Sequence, residues 1–322
     1  MKILITGAAG FVGFNFSNLL LNKTKFKIIG IDNINNYYST KLKKDRIKYL
    51  SKNKNFLFKK IDLLDQNKIE QLFKKNKFGI VFNFAAQAGV RYSIVNPRSF
   101  VENNILGFYN IIEFCKKYGV KKFFYASSSS VYGENKNFPL NEKQKINPKN
   151  MYGLSKKINE EIAQIYNTNK FTTVGLRFFT LYGPWGRPDM FMIKYLSASY
   201  NKKIKFYLNN FGNHLRDFTY IDDACNGMLM LLKKKLNKEN YIFNISSNNP
   251  VNLKKILLMI DSLTKKKPII VKRKLQEADI IKTHGDNSYL KNKINQKNFT
   301  KINIGIENTI SWYKSYFGYD KK

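Results

Sequence analysis

Cysteine and histidine are nearly absent: the 322-residue chain holds two of each. Cys115 and Cys225 lie in apolar, helix-like stretches without metal-ligand spacing, so no metal site is expected of them. Both read as buried free thiols of a reducing compartment. His214 and His284 have no partner pattern and read as surface or packing residues. Long apolar runs are missing too, so no membrane span is expected. Nothing precedes the first strand pattern, so neither a signal nor a transit peptide is expected, and the expected location is cytoplasmic. Acidic residues are few, 22 against 57 Lys and Arg, for a formal charge of +35, and only seven of the 57 are arginine. The lysines are scattered among many asparagines and isoleucines, a pattern of AT-rich codon bias. A nucleic-acid footprint would cluster its charge and favour arginine, so no specific nucleic-acid partner is expected. The scarce arginines are the informative cations: Arg91, Arg177, Arg187 and Arg216 all sit in motif-like segments.

What is present begins at the first residue. Ile3–Ile5 is a short apolar run of the buried parallel-strand kind. Gly7, Gly10 and Gly13 follow and lead into an apolar helix from Phe11. Glycine lets backbone approach a phosphate closely, and the N–H groups heading the helix, around Phe11 and Val12, face it with the positive dipole end. A second apolar run, Phe26 to Ile31, ends at Asp32, 19 residues past Gly13. That spacing fits a carboxylate on the adenosine ribose, and an acid there repels a 2′-phosphate. NAD is therefore the expected cofactor.

Strand patterns at Lys2–Ile5, Lys27–Ile31, Phe56–Lys60, Ile80–Phe84, Lys122–Ala126 and Thr172–Phe178 alternate with helix patterns near 11–22, 65–76, 97–118 and 151–168. Further helices are expected near 221–236 and 252–264. The order predicts an α/β fold with a Rossmann-type, doubly wound parallel sheet. Residues 1–180 form the expected NAD-binding domain carrying the catalytic residues. Residues 181–322 form a smaller C-terminal α/β substrate lobe, with some segments returning to the first domain and a solvated connection at 265–275. Ligands of such sheets bind beyond the carboxyl ends of the strands. Asp32, Asp62, Ala85-Ala86, Ser127-Ser128 and Phe179-Thr180 all fall there. Tyr152 and Lys156 stand four apart on one helix face, so a cation can favour the phenolate and make Tyr152 a general base.

These segments carry a resemblance. Gly7–Gly13, Gly30–Tyr38, Ala85–Ser93, Ala126–Gly133, Tyr152–Lys156, Leu176–Met190 and Arg216–Asp223 resemble extended short-chain dehydrogenases/reductases, within them nucleotide-sugar epimerases, and most the UDP-glucuronate 4-epimerase branch. The resemblance runs from about residue 1 to residue 315. It implies that Gly7, Gly10, Phe11, Val12 and Gly13 cradle the NAD pyrophosphate. Asp32 and Asn33 would hold the ribose, Asp62 and Leu63 the adenine. Ala85 and Ala86 would line the cofactor, Asn104 is the family's active-site asparagine, and Lys156 would also bond the nicotinamide ribose. Tyr152 would take the proton of the sugar 4-hydroxyl while C4 gives a hydride to NAD. Ser128 would bond the forming carbonyl, with Ser129 close enough to share the assignment. The 4-keto sugar then turns over and the hydride returns to its other face.

Absences matter in this segment as well. Related dehydratases need an Asp-Glu pair, and related decarboxylases a glutamate, where this chain has Ser129-Ser130. Epimerisation of a UDP-sugar is the expected reaction, most of all UDP-glucuronate to UDP-galacturonate. The alternatives are a UDP-glucose or UDP-N-acetylhexosamine 4-epimerase, or a non-enzymatic NAD-binding regulator. Thr180 and Arg187 match the uronate branch; Arg187 reads as a carboxylate fork or as a loop salt bridge. Arg91 reads as a second cation at the sugar end or as a structural contact. Arg216 suits the diphosphate, Tyr207 the uracil, and Asp279 the UDP ribose. The family has Pro-Gly before that acid, whereas this chain has Gln276-Glu277-Ala278-Asp279. A homodimer through helices 97–118 and 151–168 is a further expectation of the resemblance.

Overall fold

A computed structural model describes residues 1–236, 240–276, 279–296 and 298–320. The first half alternates as the apolar periodicity requires. Strand β1 (Lys2–Thr6) is followed by helix α1 (Phe11–Lys23), β2 (Lys27–Asp32), α2 (Thr40–Leu50), β3 (Phe56–Lys60), α3 (Gln66–Lys74) and β4 (Phe78–Asn83). Two short turns, α4 (Tyr92–Val95) and α5 (Arg98–Phe100), lead through a π-helical turn at Val101–Leu106 into α6 (Gly107–Lys117). Then come β5 (Lys122–Ser128), α7 (Met151–Tyr166) and β6 (Thr172–Phe178).

The second half is built of smaller pieces. It runs β7 (Thr180–Tyr182), α8 (Phe191–Tyr200), β8 (Phe206–Asn209), β9 (Leu215–Tyr220), α9 (Ile221–Lys233), β10 (Tyr241–Ile245), β11 (Pro250–Asn252) and α10 (Leu253–Thr264). It ends with β12 (Ile270–Arg273), α11 (Ser288–Ile294) and α12 (Ile302–Phe317). The solvated connection expected at 265–275 therefore contains a strand, β12, paired in parallel with β8.

Seven strands form one parallel sheet in the order β10-β6-β5-β4-β1-β2-β3. The chain leaves β1 for β2 on one side and later returns to β4 on the other, so a crevice opens at the carboxyl ends of β1 and β4. β10 comes from the C-terminal half and extends the sheet past β6. The rest of that half forms a β11-β9-β7 sheet and the β12-β8 pair above the crevice. One continuous apolar core joins the two parts: Phe14, Phe82 and Leu176 belong to the same buried cluster as Tyr195, Met228 and Ile310. A second core lies on the sheet's other face around Leu4, Ile69, Ile111 and Phe123.

Candidate active site

The cofactor end is shaped by backbone proximity. Gly7 has φ +68°, and a Cβ there would lie 2.7 Å from the Ala85 nitrogen. A Cβ on Gly13 would lie 2.2 Å from the Gly7 carbonyl oxygen, so only glycine fits either position. Helix α1 starts at Phe11 without a side-chain cap, leaving its first N–H groups for an anion. The Asp32 carboxylate at the tip of β2 accepts from the Ile34 N–H at 2.8 Å and the Ala9 N–H at 3.2 Å. Burial pushes its carboxyl above the usual range, against the pull of those N–H groups and of Lys43. Asn33 donates to Asp62 at 2.9 Å. Gly7, Gly10, Phe11, Val12, Gly13, Asp32, Asn33, Asp62, Leu63, Ala85 and Ala86 all line one cavity with Ser128, Ser129, Tyr152, Lys156, Thr180 and Arg187. A glycine cradle, an uncapped helix start and a half-buried acid at the tip of β2 in one cleft fit a dinucleotide.

Asn104 is the exception among the cofactor candidates. The π-helical turn aims its carboxamide away from the cavity wall. Its oxygen accepts from the Gln87 N–H at 2.7 Å, and its Nδ2 donates to the Gln87 carbonyl and to Ser155 Oγ, both at 3.0 Å. It ties the loop after β4 to α7 and so stands behind the site.

The reacting end forms where β5 stops. Ser127 turns inward and donates to Glu160 at 2.5 Å, next to the buried Arg177–Glu160 ion pair at 2.7 Å. Ser128 turns outward, accepts from the Ser130 N–H at 3.1 Å, and lies close enough to Tyr152 to pull its phenol down. Of the two serine candidates, Ser128 is thus the one that reaches Tyr152.

Tyr152 and Lys156 come together on α7 as their spacing requires. Lys156 Nζ lies 6.0 Å from the Tyr152 ring centroid. Burial raises the Tyr152 phenol, while Ser128 and the charge of Arg187 pull it back. Burial also lowers the Lys156 ammonium to about 8. Arg187, from the loop after β7, adds a second positive charge that favours the Tyr152 phenolate. Its guanidinium also forms the loop salt bridge that was its alternative reading: Nε and Nη2 grip Asp189, each at 2.9 Å. Tyr37 donates to the same carboxylate at 3.3 Å.

A second cavity adjoins the first and shares Thr180 with it. Arg91, Tyr207, Arg216 and Asp279 line this one and not the first. Arg91 pairs there with Asp279 at 2.8 and 3.0 Å, the structural contact that was its alternative reading. Arg216 donates to the Leu215 and Ile281 carbonyls, and burial pulls its guanidinium down to about 10. A cation so desolvated is a ready partner for an anion. Tyr207 is half exposed, with the Arg273 guanidinium 3.7 Å from its ring centroid. Glu277 and Ala278, in the segment that departs from the family, lie outside the described residues.

Sequence reasoning passed over Arg46. Fully buried on α2, it donates to the Ala9 carbonyl and the Tyr38 hydroxyl at 2.7 Å each, and to the Trp185 carbonyl. It fastens the glycine loop, the ribose loop and the loop of Arg187 to one another. The scarcity of arginine was the signal that pointed to it.

Comparison with known proteins follows this geometry. A family model, the NAD dependent epimerase/dehydratase family, matches residues 3–246. Protein CapI of Staphylococcus aureus is 40% identical over 98% of this chain and 99% of its own length. UDP-glucuronate 4-epimerase 4 of Arabidopsis thaliana is 38% identical over 100% of this chain and 77% of its own. The crystal structure of UDP-glucuronic acid 4-epimerase from Bacillus cereus, in complex with UDP-glucuronic acid and NAD, matches with a TM-score of 0.91 and 30% identity. That match covers 98% of this chain and 100% of the other.

Proposed function

The chain belongs to the NAD dependent epimerase/dehydratase family, and from that premise we propose that it is a UDP-glucuronate 4-epimerase. The observation that carries the choice of epimerisation is the placement of carboxylates. Among the described residues lining the first cavity, only Asp32 and Asp62 are acids, and both sit at the adenosine end. No acid stands beside Tyr152 to protonate a leaving hydroxyl, so a dehydration has no proton donor there.

Bound NAD supplies the reversible hydride acceptor at C4 of the sugar. Tyr152 removes the 4-hydroxyl proton and later returns it. Ser128 donates to the carbonyl oxygen that forms, holding it against Tyr152. Arg187, and Lys156 while protonated, favour the phenolate. Arg216 and Arg91 hold the diphosphate in the second cavity, Tyr207 offers a ring to the uracil, and Asp279 meets the ribose once Arg91 turns to the phosphates. Anchoring the nucleotide there leaves the sugar, at the Thr180 junction, free to present either face.

One observation favours a second reading. The fork of Arg187 is already occupied by Asp189, which leaves a sugar carboxylate only its remaining N–H groups. A neutral UDP-hexose or UDP-N-acetylhexosamine makes no such demand. Incubating the protein with UDP-glucuronate, without added NAD, and following the anomeric protons by NMR separates the two. Appearance of UDP-galacturonate supports the proposal; turnover of neutral UDP-sugars alone sinks it. The buried thiols Cys115 and Cys225 suit a reducing compartment, and we place the protein in the cytoplasm. Among the described residues, no helix is long and apolar enough to cross a membrane. We also propose a homodimer, through the outer faces of α6 and α7.

A further inference from the structure

His214, dismissed above as packing, has an unusual position. It lies just before Arg216 on the wall of the second cavity. Its side chain is 3% exposed. Neither ring nitrogen has a hydrogen-bond partner within the protein. An imidazole always carries at least one N–H donor, so this is a buried polar group left unsatisfied, a state that proteins rarely keep without a use. Asp279 Oδ2 lies 4.0 Å from Nε2, just beyond hydrogen-bonding distance. That carboxylate is instead gripped by Arg91.

We infer that His214 is a binding residue of the nucleotide cavity that takes up a proton as an anionic ligand enters. The inference rests on the reading of the second cavity as the nucleotide site. Three charges face the imidazole from three segments: Arg216 on β9, Arg91 from the loop after β4, and Asp279 beyond β12. The two guanidiniums oppose a positive imidazole and the carboxylate favours one. Burial, then Arg216, hold the ring below the ordinary histidine range despite Asp279. A diphosphate between Arg216 and Arg91 cancels the opposing charge. It also draws Arg91 off Asp279, and the freed carboxylate can close the short gap to Nε2. Both changes favour the imidazolium, so proton and ligand bind together.

The chain has two histidines, so isotope labelling of histidine gives two ring signals, assigned with a His284→Gln variant. UDP-glucose is the probe, because each of its phosphates keeps one fixed charge through the neutral range. The His214 midpoint is expected to rise by about one pH unit when the probe saturates the protein. Affinity should then strengthen as pH falls between the two midpoints, by up to about tenfold. In a His214→Gln variant, binding measured by calorimetry should be flat across that window. An unmoved midpoint with UDP-glucose bound, or a wild type as flat as the variant, overturns the inference and leaves the nucleotide reading standing. No binding of UDP-glucose at all overturns both.

Discussion

At the scale of single residues, charge is distributed in an order that motifs alone do not reveal. Tyr152 and Lys156 stand at the spacing a sequence reader expects, yet burial opposes the ionised form of each. Tyr152→Phe tests the proton transfer proposed for it. Turnover should fall by about a thousandfold or more while NAD stays bound, which kinetics and assay of released cofactor will check. Lys156 helps only as a cation, and burial places its proton loss at about 8. Its folded value lies below the unfolded one, so the unfolded chain binds more protons above that pH. This group therefore adds stability as pH rises from about 8 toward its unfolded value near 10, while its help to catalysis fades. A pH series of melting in the cofactor-free protein, and of turnover in the NAD-bound protein, reads the two trends. Arg187 gives a paired test. Arg187→Ala should reduce uronate turnover far more than turnover of a neutral UDP-sugar. Asp189→Asn frees part of the guanidinium fork and should lower KM for the uronate severalfold. Equal effects on both sugars would show that Arg187 serves Tyr152 and not the carboxylate.

At the scale of elements, the strands of the parallel sheet were legible from their apolar runs. β3 and β6 fall at the boundaries read from their apolar runs, and β1, β2, β4 and β5 differ by one or two residues. Helix α2 escaped notice because Lys41, Lys43, Lys44 and Lys48 break its apolar stripe, and because it is held by one buried arginine instead of a broad apolar face. The π-helical turn is hidden inside an ordinary helical pattern, so the inward turn of Asn104 could not be foreseen. β7, β11 and β12 span three, three and four residues, too few for a period to show. The glycine loop, by contrast, was fully legible, since its chemistry is local. Arg46→Met tests the element that was missed. It leaves the Ala9 and Trp185 carbonyls without their donor, at about 1–3 kcal/mol each. A lowered melting temperature with weakened NAD retention is expected, and NAD retention equal to wild type would reduce Arg46 to a packing role.

At the scale of the molecule, the two lobes share a core, so the two cavities are held in register by packing. What the core leaves uncovered is the outer face of α6 and α7, which pack on each other. Val101, Leu106 and Tyr109 before and on α6, and Leu154 and Ile165 on α7, are each at least 40% exposed. Ile165 reaches 78%, far beyond what a helix on a free surface gains from isoleucine. A second copy related by a two-fold axis would set the same pair of helices against this one and bury the stripe twice in a four-helix arrangement. Full burial of such a side chain is worth about 1.5–3 kcal/mol, so a handful on each copy can outweigh the loss of free motion. A Leu106→Glu, Ile165→Glu double variant places four carboxylates at the seam. Light scattering should find twice the 37.7 kDa chain mass for wild type and the single mass for the variant. Tyr152 and Lys156 project from the opposite side of α7, so the variant should keep NAD. A wild type that stays monomeric at micromolar concentration would refute the two-fold pairing and leave the stripe as a surface for some other partner.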